Sequence, residues 1–598
     1  MQIDARSLPA DAQLDADVAI VGAGPAGIAL ALELARAGHR VVLIESGGAS
    51  FSASTQRLGD TVGEDPTHVS MSLTTRRQIG GASNLWAGRC VPFDPVDFQP
   101  RQIVGGAGWP LEYDELQAYF ARACEWCVCG EATFDAREIP NLAERSLIPG
   151  WPEGDIKATA LERWSLPTNF GRSYRETLDD SPLLTLATHL TCTEIVCDEG
   201  GASVSHMLAK TLRGERVTVR AARYVLACGG LEAVRLLFAS NRFHTDGIGN
   251  HSGHLGRWYM AQIMVSIARA HFTTPPSETI HDFERDLDGV YVRRRFTFSE
   301  RALLAYDLPN TAMYLDNPEI GDPSHENAIL SLIYLMLISP LGGRLVAEGI
   351  RQAKTKTAHP VSLGKHFKNV LRNLGPAVKF ALTVGYQRYL KRGRKVPGVF
   401  ISSASNVYPI LYHGEHLPHY ASHVAPSVER DALGMPRLRT QLHFADADIS
   451  SVIQAHEHLD RYLRLHGLGH LEYVHQDRAR AVREQLFGGY AQIGITRMSA
   501  GPEDGVLDRN LAVHGFDDLF VASSSAFVTS SQANPTLMIV AFALRLADHL
   551  HNVLSNESPA QPRRRHAERI GFPRSSTKET RIDAGQATAV GRRDRQGH

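Results

Sequence analysis

Residues 17–45 read DVAIVGAGPAGIALALELARAGHRVVLIE. An apolar run ends at Gly22, and Gly22, Gly24 and Gly27 form G-x-G-x-x-G. Residues 28–37 then repeat apolar side chains at helical spacing, Gly38 breaks that pattern, and a second apolar run ends in Glu45. Strand, glycine turn, helix and strand in this order make a dinucleotide-binding unit. Gly22 permits the tight turn, Gly24 lets the backbone approach a pyrophosphate, and Gly27 lets helix and strand pack closely. The helix N-terminus offers free N–H groups and the positive end of its dipole to phosphates. Glu45 stands where an acid accepts hydrogen bonds from a ribose diol.

A chain of 598 residues is too long for one core, so two or more domains are expected. Its 63 Lys and Arg nearly balance 64 Asp and Glu, which leaves no global field favouring nucleic acid. The N-terminal residues carry neither a basic region nor an apolar core, so no secretory leader is expected. Seven scattered cysteines do not resemble a disulfide framework, and a reducing cytoplasm is the expected location. Cys124, Cys127 and Cys129 form C-x-x-C-x-C. A metal there needs a fourth ligand, and no second Cys pair stands elsewhere, so structural thiols are expected.

Further along, residues 77–101 (RQIGGASNLWAGRCVPFDPVDFQPR) are too rich in glycine and small residues for regular structure throughout, and suit a backbone lying against a ligand. Residues 184–225 are β-rich and lead into a buried strand ending in Gly229-Gly230, followed by a helix. The segment 328–338 (AILSLIYLMLI) is strongly apolar but too short to span a bilayer. Residues 351–395 hold twelve Lys and Arg and no Asp or Glu. Parts of that stretch read as basic amphipathic helix, able to lie on an anionic membrane or meet an acidic partner, or simply to be a solvated face. Residues from 556 on are Pro-, Arg- and Ser-rich without periodicity and are expected to be disordered.

Four segments occur in order: the N-terminal fingerprint ending in ESGG, then RQIGGASNLWAGR, then YVLACGGLEAVRLLFAS, and last GITRMSAGPEDGVLDRNLAVHGFDDLFVASSSAFVTSSQANPTLMIVAFALRLADHL. This arrangement resembles the glucose–methanol–choline (GMC) flavin oxidoreductases. The resemblance implies an α/β, Rossmann-like FAD-binding domain assembled from residues 12–110, 185–270 and 480–555. It also implies an α+β substrate domain with an antiparallel sheet, from residues 111–184 and 271–479, carrying a basic helical insertion near 340–396. By resemblance, Gly22, Gly24, Gly27 and Glu45 hold the ADP half of FAD, and Gly80, Gly81, Ser83 and Asn84 lie in the loop beside the flavin ring. Val196, with Ile195, is a candidate for backbone contact with the adenine. Asn534, Pro535 and Thr536 match the C-terminal motif near the flavin, with Ser524 and Ala526 in the loop before it. Family members with a covalent histidyl flavin carry a His before the Trp of the second segment. Leu85 precedes Trp86 here, so noncovalent FAD is expected.

The chain departs from the family pattern at the reaction centre. Alcohol-oxidising members carry a His in H-x-x-G-T and a His or Asn in the later motif. A neutral imidazole suits the removal of a hydroxyl proton while hydride leaves carbon. Here the segment reads Ala491-Gln492-Ile493-Gly494-Ile495, with Ala491 at the histidine position, and the later residue is Asn534. Asn534 and Gln492 are therefore the candidates at the reaction centre, and an amide orients a substrate without acting as a base. His416, His419, His423 and His475 are possible substitutes.

Three functions follow. The first is hydride removal from a CH–OH group with a non-standard base. The second is another two-electron reaction, such as desaturation of a CH–CH group. The third is a non-redox lyase or silent binder with structural FAD. The substrate is expected to be a small or carrier-bound metabolite of the kind met in secondary metabolism. The residues do not name the electron acceptor.

Overall fold

The computed structural model describes residues 1–63, 65–106, 108–340, 342–345, 348–355, 362–390 and 393–557. Contacts divide the chain into Met1–Asn552, to which the following applies, and Val553–His598, of which only residues 553–557 are described. The tail expected to be disordered otherwise lies outside the described residues.

Six strands form one parallel sheet, in the order Gln2–Asp4, Leu184–Thr188, Val41–Ile44, Val18–Val21, Arg223–Leu226 and Leu519–Val521. Val18 pairs with Val41 on one side and with Arg223 on the other. The central strands read VAIV and VVLI and are buried throughout, as strands covered on both faces must be. The helix Pro25–Arg36 follows the first of them. Proline at its start lacks only an N–H that the first turn leaves unpaired. Its Ile28, Leu30, Leu32 and Leu34 are all buried. A smaller four-stranded sheet comprises Ala12–Asp15, Arg216–Arg220, Val204–Lys210 and Thr191–Cys197.

A second large sheet is antiparallel and runs Gly469–Tyr473, Gln262–Phe272, Val407–Glu415, Thr311–Leu315, Tyr291–Phe298, Ile156–Trp164 and Arg89–Cys90, with Glu284–Arg285 added against Tyr291–Phe298. The helix Asp446–Leu465 lays Ile449, Val452, Leu459 and Leu463 on it at helical spacing, against Ile267, Phe296, Met313 and Tyr412. The antiparallel sheet draws strands from both sides of the expected domain boundaries. Arg89–Cys90 and most of Gln262–Phe272 fall in stretches assigned to the FAD domain, while Gln2–Asp4 joins the parallel sheet from before residue 12.

The adjacent strands Thr311–Leu315 and Val407–Glu415 are joined by an excursion containing the helices Ala328–Ile338, Glu348–Thr355, Leu363–Arg372 and Leu374–Gly385. The apolar run is thus a helix, and the basic stretch is largely helical where it is described. One helix, Thr536–Asn556, has the length and composition to cross a membrane, and over half of its most apolar window is buried inside the protein.

Cys124, Cys127 and Cys129 are buried, and Cys90, from another segment, is buried beside Cys127 and Cys129, its thiol donating to the Gly88 carbonyl at 3.7 Å. These neighbours and burial push the Cys90 thiol up. Among the described residues, no group of three or more His, Cys, Asp or Glu is arranged to hold a metal ion.

Candidate functional site

A deep cleft opens at the carboxyl ends of the parallel strands, where α/β sheets bind their ligands. Its empty space, including the open mouth, is about 1440 Å³. Val21, Gly22, Ile44, Glu45, Ala227, Cys228, Ala522 and Ser523 line it from four of the six strands and the turns that follow them.

The three glycines do different work. Gly22 has φ +103°, and a Cβ there would lie 2.6 Å from the backbone of Cys228. A Cβ on Gly27 would lie 1.9 Å from the Gly22 carbonyl oxygen, so this glycine sets the helix-to-strand spacing. Gly24 has φ −84°, and a Cβ there would meet nothing closer than the Gly81 Cα at 3.9 Å. Any side chain at Gly24 would extend into open cleft, where a ligand's backbone-hugging group belongs.

Glu45 accepts the N–H of Ala23 at 2.9 Å and of Gly47 at 2.8 Å. Burial pushes its carboxyl up, and the two amides and Arg77 pull it back. Each carboxylate oxygen keeps a lone pair for a ribose hydroxyl. Arg77 spans the same wall, paired with Glu232 at 2.5 Å and donating to Ser46 Oγ at 3.1 Å. The helices starting at Pro25, Gly230 and Thr536 all bring their N-terminal residues to the cleft. Three positive helix ends and the guanidinium groups of Arg76 and Arg77 suit a polyanion such as a pyrophosphate. A dinucleotide fits this donor set.

A GMC oxidoreductase family model matches residues 418–543, and an FAD dependent oxidoreductase model matches residues 17–304. The chain thus carries a GMC oxidoreductase C-terminal domain behind an FAD-dependent oxidoreductase domain. It is an FAD-dependent oxidoreductase, with the parallel-sheet FAD domain and the separate antiparallel sheet of that class. It is 20% identical to 2-methyl-1,2-propanediol dehydrogenase of Mycolicibacterium austroafricanum, over 90% of this chain and 96% of that protein. It is 26% identical to paromamine 6'-oxidase of Streptomyces fradiae, over 40% of this chain and 52% of that one. Among solved structures, a formate oxidase from Aspergillus oryzae RIB40 shares the fold, with a TM-score of 0.52 and 15% identity. The match covers 92% of this chain and all of the oxidase.

Within this GMC frame, Gly22, Gly24, Glu45, Gly81, Ser83, Gln492, Pro535 and Thr536 all line the cleft. Gly80 sits just behind, its N–H donated to the Ala23 carbonyl at 2.7 Å, which ties the second segment to the fingerprint. Asn84 faces away, donating to the carbonyls of Ile79 and Gly81 and accepting from Asn169, so it shapes the loop. Val196 is not brought to the cleft. It pairs with His206 further along its strand, and that chain segment reaches the cleft at Leu190, Thr191 and Cys192. Ser524 lines the cleft and donates to the Gln492 carbonyl at 2.9 Å, while Ala526 is buried behind it.

At the reaction end, Ala491 is 5% exposed and forms part of the wall beside Tyr490. The Gln492 side chain is committed, its Oε1 accepting the Leu231 N–H at 3.1 Å and so capping the Gly230–Ala239 helix. Asn534 precedes Pro535 and Thr536, and its Oδ1 is buried without a hydrogen-bond partner among the described residues. An orphaned acceptor is costly unless a ligand meets it.

Among the described residues, no histidine lines the cleft. His416 is buried with both nitrogens used, accepting from the Ala261 N–H at 3.0 Å and facing the His443 carbonyl at 2.9 Å. His419 accepts from Ala421 N–H, His423 faces the Ala421 carbonyl, and His475 is exposed.

A buried polar cluster, not anticipated from the sequence, fixes the segment before Asn534. Gln262 donates to the carbonyls of Ser530, Ser531 and Ala533 at 3.2, 3.3 and 2.5 Å. Arg295 donates to Gln532, whose own amide donates to Asp94 at 2.8 Å. Arg89 and Arg293 both pair with Glu162. Burial, with Arg89 beside it, lowers the Arg295 guanidinium to about 10. Burial and these arginines hold His413 well below the ordinary histidine range. The sequence signal was the run YVRRRFTF, where Arg293 and Arg295 share one strand face by period two.

Proposed function

We propose that this GMC oxidoreductase oxidises the CH–OH carbon of an alcohol-type metabolite, with FAD held noncovalently and without a histidine base. The observation that carries this reading is the pairing of an intact dinucleotide cleft, with Ala491 in its wall, and an orphaned oxygen on Asn534, the residue that precedes the cleft-lining Pro535 and Thr536. Bound FAD supplies the two-electron acceptor for hydride. Asn534 orients the substrate by accepting a hydrogen bond from its hydroxyl, the hydroxyl proton passes to water as the hydride leaves carbon, and the cluster around Gln262 and Arg295 keeps Asn534 in place. Leu85, ahead of Trp86, offers no nucleophile for covalent attachment. Two curated relatives, named for a propanediol and for paromamine, support an alcohol substrate over a hydrocarbon.

The test is anaerobic mixing of the FAD-loaded protein with 2-methyl-1,2-propanediol and a panel of polyols and amino sugars. Loss of flavin absorbance with at least one alcohol is expected. Turnover with an unbleached flavin overturns the proposal in favour of a lyase or dehydratase. Bleaching only by substrates lacking a hydroxyl reassigns the reaction to CH–CH oxidation. Release of all flavin on acid precipitation checks the noncovalent attachment.

A further inference from the structure

The helical excursion between Thr311–Leu315 and Val407–Glu415 reverses the usual sense of amphipathicity. On the helix Leu363–Arg372 the inward residues are polar. His366 is fully buried between Ser331 Oγ at 3.0 Å and the Gly321 carbonyl at 3.2 Å. Asn369, one turn on, donates to the Pro323 carbonyl and to Ser331. The outward residues are apolar: Leu363, Phe367 and Leu371, four apart, are 46%, 56% and 70% exposed. The next helix continues the stripe with Leu374, Val378 and Leu382, and Tyr386 and Leu390 extend it, all about half exposed or more. Residues 336–390 hold ten of the twenty-five large apolar side chains exposed among the described residues. An exposed apolar stripe of this length marks an interaction surface.

Charge identifies what the stripe meets. Lys365, Lys368 and Arg372, three and four apart, border it on one helix, and Lys379 borders it on the next, all exposed. The whole stretch 351–395 has twelve Lys and Arg and no acid, in a chain whose net charge is −1. The apolar helices of the excursion, Ala328–Ile338 and Leu374–Gly385, have 11 and 12 residues. At about 1.5 Å per residue they reach little more than half of a hydrocarbon core of about 30 Å, too short to cross it. Basic residues beside an outward apolar face are the composition of an interfacial helix on anionic lipid.

We propose that the helices Leu363–Arg372 and Leu374–Gly385 dock this protein on an anionic lipid surface. Phe367, Leu371, Val378 and Leu382 enter the acyl boundary, and Lys365, Lys368 and Lys379 meet the headgroups. The docking bears on the cleft through one contact. The helix Glu348–Thr355 of the same excursion packs against Met71–Thr74, and Thr74, Thr75 and Arg76 line the cleft. The docked excursion thereby stands next to the cleft wall, independently of which alcohol is oxidised there.

The test uses the full FAD-loaded chain and vesicles of phosphatidylcholine, with and without phosphatidylglycerol. Co-sedimentation with the anionic vesicles is expected, weakening by about tenfold or more in neutral vesicles or high salt. Leu371→Glu with Leu382→Glu should abolish binding while flavin content and melting temperature stay unchanged. Leu371→Trp, with the rest intact, should be quenched by brominated acyl chains. Failure of the wild type to sediment with anionic vesicles overturns the proposal, as does binding that survives the double Glu variant. Concentration-dependent self-association without vesicle binding assigns the stripe to a second copy of the chain, and binding only to an acidic protein assigns it to that partner; either result also overturns it.

Discussion

Gly27 is packed so tightly on Gly22 that a single methyl group on it would stand 1.9 Å from the Gly22 carbonyl oxygen. The obstruction is backbone, which cannot rotate aside. Gly27→Ala is therefore expected to force the helix Pro25–Arg36 off the sheet, costing about 1–3 kcal/mol as core overpacking does. Gly24→Ala should leave the apoprotein's stability unchanged, since the nearest atom to its Cβ would be the Gly81 Cα at an unstrained 3.9 Å, yet weaken FAD by filling the place of the pyrophosphate. Melting temperature of the apoprotein and flavin content per chain separate the two.

Ala491→His should raise alcohol turnover by about 10²-fold or more, the ordinary contribution of a positioned base. The pH profile of kcat/KM should gain a limb near the usual histidine pKa of about 6.5. Steady-state rates on the substrate that bleaches the wild-type flavin give both readings.

Asn534→Ala removes the orphaned acceptor at the start of the Thr536–Asn556 helix. Its effect is expected on kcat, about 10²-fold as for a misoriented substrate, with flavin content unchanged. Anaerobic stopped-flow reduction checks whether the loss lies in the hydride step.

His456 is fully buried under the antiparallel sheet, and burial lowers its pKa to about 4. Its Nδ1 faces the Val452 carbonyl at 2.7 Å, and its Nε2 has no hydrogen-bond partner among the described residues. The unfolded chain takes up a proton near pH 6.5 and the folded one does not. Stability is therefore fully present above that pH and falls as pH drops toward 4, by about 3 kcal/mol from this residue. Chemical denaturation of wild type and His456→Gln across that window should show a shallower decline in the variant.

The nucleotide cradle was legible because its information is local. Turn, helix start and terminal acid lie within thirty residues, and each glycine's role follows from its place in the turn. Which part of the small sheet reaches the cleft was not legible. Val196 and Cys192 lie on one strand, and only the curl of the small sheet decides which end faces the cleft. The cluster of Arg89, Arg293, Arg295 and Glu162 depends on three segments meeting, so YVRRRFTF could not announce it alone. The same limit hid Cys90 from the Cys124–Cys129 group. In the basic excursion the helical period was visible, but its inward side was not. The exposed leucines and the buried His366 and Asn369 invert what periodicity alone implies.

The strand order of the parallel sheet has a temporal meaning. Val18–Val21 at its centre is flanked by a strand from residues 41–44 and another from residues 223–226, and the far edge, Leu519–Val521, is made near the end of the chain. A chain growing from its N-terminus holds the fingerprint early but lacks Ser523, Pro535 and Thr536, which line the cleft, until synthesis is almost complete. The complete cleft is thus a late product of synthesis, and a chain cut short before residue 519 carries the fingerprint without the last strand and the cleft-lining residues that follow it.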